Sequence, residues 1–184
     1  DTTLTLDSAA GITPGSFVTL AMTDDSSRSL GSHLHNGQAS PGTCSYQMPL
    51  TLDIPFLAQA VRGNRLELNQ PLRTDVRLGW SPVIEGAPFL TEVGIENLRI
   101  EFIPSTYAGH NNEDGYNGIY FENGVANSWV HQVTIDESDN AVILGRLSKW
   151  IEVRDVQLEG RTGHHGFRCE HTADCLVTDF NQDC

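Results

Sequence analysis

Residues 117–144, NGIYFENGVANSWVHQVTIDESDNAVIL, carry two apolar patterns that return further along the chain. Val130-His-Gln-Val133-Thr-Ile135 is matched by Val153-Arg-Asp-Val156-Gln-Leu158 at an offset of 153 − 130 = 23, with polar residues in the same gaps. Val177-Thr-Asp-Phe180 follows 24 later, and Ile95-Glu-Asn-Leu98-Arg-Ile100 lies 35 before the Val130 copy. The excess of about 12 falls on residues 104–116, PSTYAGHNNEDGY, a polar, glycine-containing stretch predicted to leave the repeat as a loop. A second short strand repeats with the first: Ile119-Tyr-Phe121, Val142-Ile-Leu144 and Phe167-Arg-Cys169 alternate apolar and outward positions at spacings of 23 and 25. A chain that regains its register every 23 to 25 residues predicts a solenoid whose coils stack in parallel. A leucine-rich repeat shares this period, but it requires Asn or Cys eight residues after the first apolar position. Ser138 and Arg161 stand there instead, and the rest of the repeat is β-like rather than helical. The expectation is therefore an all-β chain built as a parallel β-helix.

Composition agrees and excludes several function classes. Eleven Lys plus Arg face 24 Asp plus Glu, a formal charge of −13, which argues against phosphate backbones and anionic lipid as partners. No segment approaches the roughly 20 apolar residues of a membrane span. Lys149 is the only lysine, and 17 Gly with 11 Asn favour turns over helices. The start at Asp1, without Met or a leader, is expected of a mature or excised product. The apolar column still open at Val177 and Phe180 leads us to expect a piece of a longer protein that self-associates or continues through its β-helix ends.

Residues 1–92 do not share the period. Leu4-Thr-Leu6, Phe17-Val-Thr-Leu20 and Leu66-Glu-Leu68 alternate as short strands, and Arg62-Gly63-Asn64 predicts a hairpin turn between residues 58–61 and 65–68. This half is expected to be an antiparallel β insert or cap, with a long polar loop at 23–45 that serves a site or contact. Cys44, Cys169, Cys175 and Cys184 lack zinc-site spacing. Cys169 aligns with Leu144 and Phe121 and is expected to be a buried thiol, with a bridge from Cys175 to Cys169 or Cys184 as the alternative. The even cysteine count in a lysine-poor β chain points mildly to an oxidising compartment.

The segments VGIENLRIEF (93–102), residues 117–144 and WIEVRDVQLEG (150–160) resemble coils of the right-handed parallel β-helix of the pectate-lyase superfamily, which includes polysaccharide lyases, polygalacturonase-like hydrolases and phage tailspikes. The resemblance covers residues 93–184 and implies work on polysaccharide outside the cell. It fixes no reaction. The Asp pair of the polygalacturonases and the Arg and Lys pair of the lyases have no counterparts here that can be carried over.

The register places distant residues side by side. Asn117, Asn140 and His165 form one polar column, and Tyr116, Asp139 and His164 the column before it. Stacked Asn residues satisfy backbone groups at turns, whereas the histidines at the column ends call for another role. With Asp136, Glu137, Arg161 and the loop residues His110, Glu113 and Asp114, one edge gathers carboxylates, imidazoles and a guanidinium. That mixture suits general acid–base catalysis, for which the candidates are His164, His165 and Asp139 as acid or base and Arg161 or Arg168 as charge stabiliser. It also suits calcium, for which the oxygen ligands would be Glu113, Asp114, Asp136 and Asp139. His33-Leu-His35 puts two imidazoles on one side of an extended segment, as half of a metal site would, but with no third ligand nearby in sequence the pair reads as a loop feature. Trp80, Trp129 and Trp150 are candidate sugar-stacking surfaces, the last two placed on the coil exterior. The functional expectation is an extracellular β-helix domain that binds polysaccharide, with cleavage as a lyase or hydrolase left open by the sequence. Its rival is a non-catalytic structural or adhesive module. Proximity to carboxylates is expected to raise the pKa values of His164 and His165.

Overall fold

The computed structural model describes residues 1–37, 50–161 and 163–183. The described residues are all-β apart from one short helix and a 3-10 turn, and the chain divides into two compact units, Asp1–Pro88 and Phe89–Cys184.

The second unit follows the repeat arithmetic. Its strands are β6 (Leu90–Thr91), β7 (Gly94–Glu101), β8 (Asn117–Phe121), β9 (Val125–Asp136), β10 (Asn140–Leu144), β11 (Lys149–Glu159), β12 (His165–Cys169) and β13 (Leu176–Asp183). They form two parallel sheets, one ordered β12-β10-β8 and the other β13-β11-β9-β6 with β7 also paired to β9. Val130, Val133 and Ile135 lie opposite Val153, Val156 and Leu158. Val153 and Val156 lie opposite Val177 and Phe180, and Ile95, Leu98 and Ile100 flank β9 on its other side. The offsets of 23, 24 and 35 are thus strand register, and the extra dozen residues run as loop between β7 and β8. Inward side chains of both sheets, among them Phe121, Val133, Ile135, Leu144, Val156 and Leu158, form one buried cluster. Each fully buried aliphatic of this size contributes about 1.5–3 kcal/mol relative to exposure.

Parallel strands of 11 or 12 residues do not stay straight here. Asn97, Gln132, Asp155 and Asp179, which precede the paired Leu98, Val133, Val156 and Phe180, all have left-handed backbones with φ of 50 to 58°. Glu92, Asn127, Trp150 and Asp174 form a second such column, with φ of 49 to 59°. The chain therefore turns at the same register position in successive repeats. Asn and Asp tolerate this conformation, whereas Gln132 and Trp150 pay about 1–2 kcal/mol for it.

The first unit is a five-stranded antiparallel sheet, β1-β4-β3-β2-β5, from strands at Thr3–Thr5, Phe17–Thr23, Thr51–Arg62, Arg65–Leu68 and Val83–Gly86. The expected hairpin forms, with Arg62 opposite Arg65 and Gly63 at φ 60° in the turn. Its core packs Val18, Leu20, Phe56, Leu66, Leu68 and Trp80. Three expectations fail in this unit. Part of the 23–45 loop is a helix, α1 (Ser29–Leu34), so His33 and His35 do not share one side of an extended segment. His33 instead meets Arg77 at 3.4 Å and Asp75 at 3.9 Å. Trp80 is 1% exposed, with its indole N–H on Ser29 Oγ at 2.7 Å, and offers no face to a sugar. Among the described residues no helix is long and apolar enough to cross a membrane.

Candidate functional site

The turn between β9 and β10 is the floor of the site. Asp139 is buried, and Arg161, from the equivalent turn after β11, donates to its Oδ1 at 2.5 Å. The amides of Gly115 and Tyr116, at the end of the 104–116 loop, donate to Oδ2 at 2.9 Å each. Burying a carboxylate without such partners would cost several kcal/mol, so this arrangement ties loop, turn and guanidinium together. Arg161 completes its fan on Ser105 Oγ at 2.8 Å and Glu137 O at 3.3 Å, and lies 5.4 Å over the Tyr116 ring.

Backbone hydrogen bonds then carry the next turn onto this one. The amides of His164 and His165 both donate to Asp139 O, at 2.7 and 3.2 Å. Their approach requires Gly163: a Cβ there would lie 2.3 Å from Ser138 O and 2.6 Å from Asp139 O. The expected contact between turns 25 residues apart is thereby observed, and the loop reaches it as well. His110 Nδ1, His164 Nδ1 and Glu113 Oε1 form a triangle with sides of 3.3, 3.3 and 3.4 Å. Tyr107 donates to Glu113 Oε1 at 3.2 Å. These three donor atoms are the group in the described residues that could hold a metal ion.

Beside the triangle runs a side-chain ladder. Asn117, Asn140 and His165 are register partners, Asn140 Nδ2 donates to Asn117 Oδ1 at 2.7 Å, and His165 Nδ1 lies 3.0 Å from Asn140 Oδ1. A carboxamide oxygen only accepts, so Nδ1 of His165 carries the proton and Nε2 of the neutral ring is a base. The His164 and His165 ring centroids lie 3.8 Å apart with the rings tilted at 41°.

Titration at this edge is perturbed. Glu113 is held below its usual value first by its own backbone N–H, then by the Tyr107 hydroxyl and the two nearby imidazoles. Burial and the hydrogen bond to Glu113 push the Tyr107 phenol up. His165 contradicts the expected rise. Its pKa is lowered by desolvation first, then by His164, Arg168 and His110, which together outweigh the opposing pull of Glu170.

The predicted calcium quartet does not converge. Asp136 is taken by Arg99 at 2.6 Å, Asp139 by Arg161, and Asp114 accepts from Ser105 Oγ at 3.2 Å, leaving Glu113 alone on the histidines. Arg168 is exposed and paired with Glu170, and Arg161 is committed to the floor. Cys169 is exposed rather than buried, since β12 is the outer strand of its sheet, and both it and Cys175 are free thiols. Cys44 and Cys184 lie outside the described residues. Trp129 lies on the exterior over Gly94, donating to Glu96 Oε2 at 3.1 Å, and Trp150 lies against Lys149. Ser105 and Tyr107 were not singled out from sequence. Their only signal was membership of the inserted loop, which gives no pairing information. Comparison with protein-family models, curated proteins and solved structures returned no match.

Proposed function

We propose that residues 93–184 are coils of a right-handed parallel β-helix of pectate-lyase type, which binds polysaccharide outside the cell and cleaves it at the His164–His165 edge. The observation that carries this reading is the convergence of acid–base groups from two turns and one loop on a single place: Glu113 and His110 on His164, with His165 oriented by Asn140 beside them. Support for the coil architecture comes from the two parallel sheets in register at 23 to 25 residues and from the left-handed corners that recur with them. In the cleavage step His165 Nε2 takes a proton from the sugar or from water, a role for which a neutral imidazole of lowered pKa is suited. Arg161 serves as a positioning residue beneath it, through Asp139 and the His164 and His165 amides.

A polysaccharide panel tests this, read for retention of the protein, for new reducing ends and for the ultraviolet absorbance of an unsaturated product. Cleavage of one glycan by the wild-type chain, and binding without cleavage by His165→Ala, are the expected outcomes. Retention without cleavage by the wild-type chain would replace the enzyme by the adhesive module. Failure to bind any glycan would remove the carbohydrate reading.

A further inference from the structure

We infer that His110, Glu113 and His164 form a binding site for a divalent first-row transition metal, zinc foremost, with one coordination place open to water or to an anionic oxygen of a ligand. The inference goes beyond the glycan reading and does not depend on it.

The geometry of the triangle is the starting point. Around a tetrahedral zinc, with Zn–N of 2.0–2.1 Å and Zn–O of 2.0–2.2 Å, neighbouring donor atoms are about 3.3–3.4 Å apart. The sides here are 3.3, 3.3 and 3.4 Å. The centre of such a triangle is about 1.9 Å from each corner, so an ion displaced about 0.7 Å from its plane would lie at zinc distance from all three atoms. The His110 and His164 ring centroids are 4.2 Å apart, closer than the roughly 5 Å of two rings aimed at one ion, so metal binding turns the rings apart. An octahedral magnesium site, with bonds of 2.0–2.1 Å, would need the donors about 2.9 Å apart. Spacing alone also fits one face of a calcium site at about 2.4 Å, but calcium takes oxygen ligands, and two of these three donors are imidazole nitrogens. Donor type therefore decides between the two ions.

Two features of the surroundings match a metal site rather than a chance contact. Two imidazole nitrogens and a carboxylate oxygen converge on one point, where either Nδ1–H hydrogen bonds to the carboxylate or a shared cation holds them together. The Tyr107 hydroxyl donates to the same Glu113 Oε1 and fixes its position, as outer-shell partners orient metal ligands. Glu113 and His164 are partly buried and His110 is exposed, so the site is accessible from solvent. Among the described residues no fourth His, Cys or carboxylate joins the group. Structural zinc sites are closed by a fourth protein ligand, whereas three ligands and an open place are the pattern of sites that bind water or substrate. The fold makes the site from residues 54 apart because the 104–116 loop is fastened to Asp139, on whose carbonyl His164 also rests.

The test is titration of the full, metal-stripped chain with Co(II), read by visible absorption, and with Zn(II), read by calorimetry. One equivalent of Co(II) producing the intense bands of a four-coordinate ion, displaced by zinc but not by millimolar calcium, is the expected result. His110→Ala, Glu113→Gln and His164→Ala should each weaken zinc binding by at least about 100-fold, and Tyr107→Phe by about 10-fold, the size of outer-shell effects. His33→Ala and Asp136→Asn, outside the triangle, should bind as the wild type does. His110 is an exposed loop residue, so an unchanged thermal unfolding midpoint of metal-free His110→Ala shows that the variant is folded. Absence of one-equivalent binding by the wild type would mean a proton-sharing histidine pair only. Binding that survives all three substitutions, or displacement by calcium, would equally overturn the assignment.

Discussion

The two units solve the same problem, burying β-strands, with opposite wiring. In Asp1–Pro88 each strand finds its partner through antiparallel register and a polar side-chain network, as in the Trp80–Ser29 contact and the Asp25 bonds that begin α1. In Phe89–Cys184 each strand finds a copy of its own pattern one repeat away, 23 to 25 residues on or 35 across the inserted loop, so identical register positions stack and corners recur. The difference teaches where chemistry can be read from spacing. Parallel repetition converts sequence offset into spatial adjacency, as for His165 and Asn140. Antiparallel pairing makes adjacency depend on each turn.

The largest expected effect separates a buried ion pair from an exposed one. Lys149, fully buried in the second unit, donates to Asp174 at 2.5 Å. Lys149→Met should cost about 3–5 kcal/mol, the range for removing one partner of a buried pair. In the first unit Asp75 and Arg77 are 2.7 Å apart but more than half exposed, and Asp75→Asn should leave the unfolding midpoint close to that of the wild type. Urea unfolding of the two variants checks this, and equal losses would mean that Lys149 is solvated.

Next in size is the core of the repeat. Leu144 lies between Phe121 and Cys169 in register, so Leu144→Ala should cost about 2–5 kcal/mol. A loss below about 0.5 kcal/mol in the same assay, typical of a surface position, would show that the register is wrong.

The corners sharpen the comparison further. Exposed Gln132 sits in a strand, where Val would ordinarily be the better residue, yet its φ is 55°. Gln132 already bears the left-handed penalty, so Gln132→Val should destabilise only by the added strain of a branched side chain, about 0.5–1 kcal/mol. A stabilising Val would remove the corner. Gly63→Ala in the first unit's hairpin, at φ 60°, should lose about 1 kcal/mol.

The smallest effect is titration in the first unit. The Asp25 carboxyl is lowered from 3.8 to about 2, by the Ser29 hydroxyl first, then by the Ser29 amide and the Ser27 hydroxyl. A folded value below the unfolded one means that the folded state binds fewer protons. Its contribution to stability is therefore complete above pH 3.8 and is lost as pH falls toward 2. An NMR titration of Asp25 should give a midpoint near 2, and a midpoint at 3.8 would show that the serines do not hold it.

Much of the second unit was legible because apolar periodicity and stacking distance are properties of the chain's own pattern. The Val130, Val153 and Val177 columns, the Asn117–Asn140–His165 ladder and the excursion at 104–116 all followed from offsets alone. The corners at Gln132 and Trp150 were not legible, since neither residue type favours a left-handed backbone and stacking enforces it. Nor was the helix at Ser29, whose six residues are too few for a periodic signal and depend on Asp24 and Asp25 for their start.

For the site, sequence alone determined which groups share an edge: His164 beside Asp139, His165 beside Asn140, and a polar loop long enough to reach them. Only the tertiary structure decided which of those groups touch. It committed Asp139 and Arg161 to each other, turned Asp136 to Arg99 and Asp114 to Ser105, and left Glu113 to His110 and His164. The physical reason is that register fixes positions along a strand to about one residue, whereas a charged side chain chooses its partner by hydrogen-bond distances of about 3 Å. Those distances depend on where a loop with no repeat of its own comes to rest.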